Sequence, residues 1–506
     1  MKKGLVSSPE ARRSASSRTA AAYTVSGPCG AGELAATYDG LPMRRRRVGW
    51  TILATVGAAI AGCGGSTHSA PSSAVPASST GTATQTSSAT RSGGQRSAQS
   101  VDWPTYHAVN ARTGAVADGP PLGQVRRLWS APVDAAVYAE PLVVDGKVIV
   151  ATENDSVYAF DAATGSRLWA VHLGTPVAGN SLPCGDIDPS GITSTPVADA
   201  HSGVLYTVVF RSGFTHVLVA LDLRSGAVRW QRPIDPPGET PRTEQQRAAL
   251  ALAGGRVYVS YGGLYGDCGR YHGWVLGAPV SSPTGPIASY RVPTENEGAI
   301  WAPSGPAIDP AGDLYVATGN GNSSSFDHGN AVIRLTPQLQ EVSYFAPPNA
   351  GALNVTDQDL GSTGPVLLPG SRAFIVGKSG VAYLLNADDL GGIGTGLASI
   401  NLAPAFGGDA SAGGTVYVPT VVGIVAVRIG SNTLQVAWRQ GAATLPPIVA
   451  GPAVWAMSGD VLYQLDARTG SVRYSASVGQ AAHFATPAAS AGRIYVAAGG
   501  RVQAFG

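Results

Sequence analysis

From about residue 125 onward the apolar residues fall in short alternating runs instead of helical stripes. Val148-Ile-Val-Ala, Leu205-Tyr-Thr-Val, Val257-Tyr-Val-Ser, Leu314-Tyr-Val-Ala, Ala373-Phe-Ile-Val and Val416-Tyr-Val-Pro are each bounded by Gly, Asp or Pro. Such runs, rich in Val and Tyr, predict half-buried antiparallel strands. A Pro-started strand precedes several of them, as in Pro141-Leu-Val-Val and Pro196-Val-Ala. Three segments then repeat one design: Asp161-Ala-Ala-Thr-Gly165-Ser-Arg-Leu-Trp169, Asp222-Leu-Arg-Ser-Gly226-Ala-Val-Arg-Trp230 and Asp466-Ala-Arg-Thr-Gly470-Ser-Val-Arg-Tyr474. Gly stands four positions after Asp and an aromatic eight positions after it. A strand ends at Asp, whose carboxylate accepts turn N–H groups, and Gly takes the left-handed position. The aromatic on the returning strand packs between neighbouring sheets. Four short strands per unit, repeated, make a propeller blade.

The end of the chain supplies the closure. Arg501-Val-Gln-Ala-Phe505-Gly506 matches Ser156-Val-Tyr-Ala-Phe160-Asp161, so the last unit stops before its turn and outer strand. Val125-Arg-Arg-Leu-Trp129 is an outer strand without a blade of its own. Joining the two removes an open sheet edge. The expectation is an all-β fold, a β-propeller of about eight four-stranded antiparallel blades, closed by an N-terminal outer strand in the last blade.

The first hundred residues read differently. Met43-Arg44-Arg45-Arg46-Arg47, the uncharged run 48–62 and Ile60-Ala61-Gly62-Cys63 form a secretory signal ending in a bacterial lipobox, with lipidation expected at Cys63. The run is too short for a permanent membrane helix. Residues 1–42 read as an upstream extension, because Met43 begins a complete signal, and Cys29 then lies outside the folded protein. Residues 64–100 are Ser, Thr, Ala, Gly, Pro and Gln almost throughout, a linker too poor in apolar surface to order itself. Residues 101–506 are the propeller. The resulting expectation is an exported protein anchored by lipid to the cell envelope, or to the outer face of the cytoplasmic membrane where no outer membrane exists.

Charge changes one point. The formal charge is +2, but residues 1–63 hold nine Lys/Arg and three Asp/Glu, which leaves the remainder at −4. That body has no basic surplus for phosphates, which argues against nucleic acid as a partner.

The repeats resemble those of the PQQ-repeat propellers over essentially all of 101–506. That superfamily includes quinoprotein alcohol dehydrogenases, with pyrroloquinoline quinone and Ca²⁺ on the axis, and non-enzymatic relatives such as the lipoprotein of the outer-membrane β-barrel assembly machine. The repeat specifies fold and leaves function open. Trp301-Ala-Pro-Ser-Gly-Pro-Ala-Ile-Asp309, leading to Thr318-Gly319-Asn320-Gly321-Asn322, is similar to the dehydrogenase segment whose asparagine binds Ca²⁺. The resemblance implies Asn320 as that ligand, with Glu295 or Glu297 as its glutamate, and Asp357 or Asp359 as catalytic base. Oxygen ligands suit a hard cation. Against this, no adjacent Cys-Cys pair occurs, although a ring of that kind often covers the quinone in the dehydrogenases.

Cys184 and Cys268 fall in loops of an exported domain, which favours a disulfide over zinc. His272, His328 and His483 show no triad-like partner. The leading expectation is a non-enzymatic scaffold that binds an envelope protein or small ligand through its loop face and needs no cofactor. The alternative is a PQQ- and Ca²⁺-dependent alcohol or sugar dehydrogenase. Any working pocket is expected on the face carrying residues 294–301, 319–330 and 354–362, with partial convergence and no intact quinone pocket.

Overall fold

The computed structural model describes residues 102–506. The upstream extension, the signal with Cys63 and the linker to residue 100 lie outside the described residues. Eight antiparallel sheets follow one another around a ring, each running from an inner to an outer strand. Blade 1 is Leu142–Val144, Lys147–Ala151, Ser156–Asp161 and Arg167–His172. Blades 2 to 7 repeat this order through residue 477. The eighth takes its inner three strands from Ala488–Ser490, Arg493–Ala498 and Arg501–Phe505 and its outer strand from Arg127–Pro132. Arg127 pairs with Phe505 and Trp129 with Ala504, so the ring closes as the repeat phase requires.

The repeated Asp-x-x-x-Gly…Trp motif works as a clasp between blades. Asp161 Oδ1 accepts the N–H groups of Ala163 (3.0 Å) and Thr164 (2.8 Å), which shapes the turn. Gly165 has φ +74°, and a Cβ there would lie 2.6 Å from the ring of Trp129 on the preceding blade. Trp129 Nε1 donates to Ala162 O at 3.1 Å. The same arrangement recurs with Trp169 on Gly226 and Trp438 on Gly470. Gly is therefore required twice over, by backbone conformation and by the aromatic ring resting on it.

The sequence pattern left the segment after residue 101 without a role, and the structure gives it one. Residues 103–116 run along the inner strands of the ring like an axle. Trp103 bridges Val143 of blade 1, and Pro104 O accepts from Ala198 N (2.8 Å) of blade 2. Asn110 Nδ2 reaches Leu252 O (3.0 Å) of blade 3, while Asn110 O accepts from Ile308 N (2.8 Å) of blade 4. Ala111, Thr113 and Gly114 carbonyls then take N–H groups of Leu367, Ser411 and Val449 from blades 5, 6 and 7. Ala115–Val116 adds a short parallel strand to the inner edge of blade 7. Tyr106 Oη pairs with Thr486 at 3.2 Å in the link to blade 8. Inner strand edges that would otherwise face an empty channel are thereby satisfied.

Arg112 locks the axle. It is fully buried and donates to Pro306 O, Thr105 Oγ1, Tyr106 O and Leu250 O at 2.7–3.1 Å. Burial pulls its pKa down to about 10, with the Glu140 carboxyl opposing.

Candidate functional site

Antiparallel order sorts the loops onto two faces. Turns between the first and second, and third and fourth, strands of each blade share one end, here called the turn face. Turns between the second and third strands share the other end with the links between blades, here called the crossover face. All three loop clusters singled out in the sequence lie on the crossover face.

Asp359 organises the cluster. It precedes the short 3-10 turn Leu360–Ser362 in the link from blade 4 to blade 5 and is almost fully buried. Its Oδ1 accepts the backbone N–H of Asn320 (2.6 Å), and Lys378 Nζ sits 2.6 Å from its Oδ2. Lys378 also meets Asp357 Oδ1 at 2.6 Å, to which Asn320 Nδ2 donates at 2.9 Å. Behind them, Asn330 Nδ2 donates to Asn320 Oδ1 (3.2 Å) and Asn354 Oδ1 (2.8 Å). Burial pushes the Asp359 carboxyl above its usual range in spite of Lys378. For Lys378 burial alone would lower the pKa, but the Asp359 and Asp357 carboxylates outweigh it and hold the ammonium above its usual value.

Glu297 approaches the same cluster. It adopts φ +69°, and Gly298 N donates to Asn320 O at 2.6 Å. Its carboxyl is raised by burial first, then by Asp267, Asp359, Asp327 and Asp357. Glu295 does not join them: its side chain is exposed, and its backbone carbonyl accepts from His272 Nε2 at 3.1 Å. Asn320, Glu297, Asp357 and Asp359 thus come together, and Glu295 stays apart.

Lys378 is the residue that pattern reading passed over. The signal was scarcity, since Lys147 and Lys378 are the only lysines after residue 3. It stands in the Gly377-Lys378-Ser379-Gly380 turn after Arg372–Val376, a crossover-face position. Its ammonium lies 5.7 Å from the centre of the Trp301 ring.

Nearer the axis the face is filled by aromatic side chains. Phe484, at φ +63°, lies 6.2 Å from Trp301 and 6.4 Å from Phe406, with the Arg247 guanidinium 5.3 Å from its ring. Beside it, Tyr138, Thr193, Thr195, Arg247, Pro303, His483 and Phe484 enclose a cavity of about 10 Å³, room for about one water. Cys184, in the link from blade 1 to blade 2, and Cys268, in a blade 3 turn, form a disulfide on this face with Cα atoms 6.0 Å apart.

A family model described as outer membrane protein assembly factor BamB matches residues 77–291. The BamB protein of Burkholderia pseudomallei is 32% identical over 138 residues, covering 27% of this chain and 32% of that protein. The dehydrogenase subunit of a quinone alcohol dehydrogenase from Gluconacetobacter polyoxogenes is 23% identical over 313 residues, covering 53% and 41%. These matches fall on repeats already visible in the fold, and over them the chain is similar to PQQ-repeat proteins. Its matched part spans only about a third to two fifths of those curated relatives. Among solved structures, the quinohemoprotein alcohol dehydrogenase of Comamonas testosteroni superposes with TM-score 0.60 at 17% identity, over 80% of each chain, which speaks for the fold.

As arranged, the residues do not fit the quinone and calcium that the resemblance to quinoprotein dehydrogenases implies. The Asn320 amide is engaged at both ends, and both Asp359 oxygens are taken. Lys378 already places a positive charge between the two aspartates. Among the described residues no group of three or more His, Cys, Asp or Glu is placed to hold a metal ion. A small-molecule site ordinarily encloses about 300 Å³ or more, which the axial cavity of about 10 Å³ does not.

Proposed function

We propose that this PQQ-repeat propeller is an exported, lipid-anchored scaffold that binds an envelope protein or a small ligand through its crossover face. The observation that carries the reading is the self-occupied site, in which Lys378 pairs with Asp357 and Asp359 while Phe484 fills the axial position. Loops on a rigid frame are where binding residues concentrate, and the match to a family described as outer membrane protein assembly factor supports an envelope role. Lipidation at Cys63 supplies the anchor.

The second reading is a PQQ- and Ca²⁺-dependent alcohol or sugar dehydrogenase. In its favour stands the convergence of Asn320, Glu297, Asp357 and Asp359, with Lys378, on one face. Asp359 is buried with its carboxyl raised above the usual range, and under this reading Lys378 and the Asn320 N–H would have to release it first.

Purified protein incubated with PQQ and Ca²⁺ separates the two. The scaffold reading expects no bound-quinone absorbance and no alcohol-dependent dye reduction; either signal, lost in Asp359→Asn, establishes the dehydrogenase. In cells, Cys63→Ser is expected to move the protein from the membrane to the soluble fraction, and unchanged retention without lipid label removes the anchor from the proposal.

A further inference from the structure

The four most exposed large apolar residues among those described are Tyr265 (71%), Val355 (70%), Val422 (63%) and Val421 (53%). All four belong to the crossover face. Tyr265 is in the blade 3 turn, Val355 ends the helix Ala350–Val355 linking blades 4 and 5, and Val421 and Val422 form the blade 6 turn. The regular outer strands also expose apolar residues, such as Leu168 and Val228, but less of each, and those belong to the blade repeat.

The turn that carries Tyr265 is braced. It is tied to the neighbouring link by Cys184–Cys268, Gly266 lies against Cys184, and Tyr271 Oη donates to Asp267 Oδ1 at 2.6 Å. An aromatic ring presented to water on a braced loop carries little of the ordering cost that binding usually meets. Tyr is among the residues that most often dominate an interface. Between these apolar points the face is acidic. In the crossover loops of residues 264–380 six carboxylates stand against two basic side chains, Arg270 and Lys378. Lys378 is already engaged by Asp357 and Asp359.

We infer that the arc from Tyr265 through Val355 to Val421 and Val422 is the docking surface for a protein partner presenting a basic, apolar-studded segment. This deepens the scaffold reading and rests on it. Charge complementarity selects the occupant: acidic loops steer a cationic segment in, and the apolar points retain it. A second copy docking by the same face brings like charge against like, and an anionic membrane surface is repelled for the same reason.

The test uses the folded protein and two fluorescent peptides, one alternating Lys and Leu and its twin with Glu for Lys. The Lys peptide is expected to bind and the Glu peptide not. Tyr265→Ser should weaken binding about tenfold and Val422→Ser severalfold, while Leu168→Ser and Val228→Ser leave it unchanged. Raising salt from 0.05 to 0.3 M should weaken it severalfold. Melting curves confirm that each variant is folded. Equal losses in the outer-strand variants, or binding indifferent to Tyr265→Ser, overturn the surface; so does failure of the Lys peptide to bind. Self-association that Val422→Ser abolishes, or binding to anionic vesicles, assigns the face to another occupant and also overturns it. A dye-reduction signal with PQQ defeats the scaffold reading instead, so the two failures are distinguishable.

Discussion

Several carboxylates on the two faces of the ring are shifted in opposite directions. On the turn face, hydrogen bonds from Thr164 hold Asp161 below the usual carboxylate range, and those from Arg229 and Ser225 do the same for Asp222. On the crossover face, burial lifts Asp155, Glu153, Glu244, Asp359 and Asp409 above it. Asp134, at the rim of that face, is the exception, lowered by Asn154, Ser156 and Thr152 although burial opposes them. Both carboxylate oxygens of Asp155 and of Asp409 are buried without a hydrogen-bond partner. One end of the ring uses its carboxylates to make turns and clasps. The other stores them at a cost to stability, and such cost gathers at functional surfaces.

Stability should therefore be lost by breaking closure and clasps. Deleting residues 102–131 removes the axle, the Arg112 hydrogen bonds and the outer strand of the eighth blade together. The expected outcome is no cooperative melting transition, by circular dichroism or calorimetry. Trp129→Ala, which removes one clasp and keeps the axle, should cost about 3 kcal/mol. A truncated chain that melts like the intact one would mean that neither the axle nor the eighth-blade closure holds the ring.

How this division was written in the sequence is uneven. The turn face was legible because a single motif builds three of its turns from neighbouring residues. Asp161, Gly165 and Trp169 keep fixed spacings that align with Asp222, Gly226 and Trp230. Closure was legible because Arg501–Phe505 matches Ser156–Phe160 while Val125–Trp129 reads as an outer strand without a blade of its own. The axle was not. Residues 103–116 lend backbone carbonyls to one blade after another, and no side-chain period betrays that pairing. On the crossover face, Asn320, Glu297, Asp357 and Asp359 could be picked out as polar residues in long loops. Lys378 could not, because its role depends on two aspartates that fold back to it from about twenty positions upstream. Phe484 was equally hidden, since only the closed ring brings it to Trp301.

A smaller effect separates the two requirements at the clasp glycine. Gly226 has φ +73°, and a Cβ would lie 2.6 Å from Trp169; Gly146 has φ +70° with nothing within 4 Å. Gly146→Ala bears only the backbone strain, about 1 kcal/mol. Gly226→Ala must also displace the ring, raising the expected loss to about 3 kcal/mol. Urea unfolding of the two variants side by side measures the difference. Equal losses would show that the ring does not rest on the turn, and the clasp would reduce to conformation alone.

The smallest expected effect tests the stored charge of the crossover face. Burial pushes Glu153 up to about 7 and Asp155 up to about 8, each further raised by the other or by Asp186, while Arg247 and Arg211 pull the other way. Tyr138 completes the charged and titratable surroundings. Both carboxyls hold their protons in the folded chain over a range where the unfolded chain has released them. The folded state therefore binds more protons between about pH 4 and pH 8, and stability falls as pH rises through that window. Melting temperature should be several degrees higher at pH 5.5 than at pH 8.5. The turn-face aspartates do not oppose this, because their lowered pKa values place their loss of stability below about pH 4. Glu153→Gln with Asp155→Asn should flatten the profile between pH 5.5 and 8.5 and raise the alkaline melting temperature. A double variant with an unchanged slope would place the pH dependence elsewhere on the ring and remove the stored charge from the contrast between the faces.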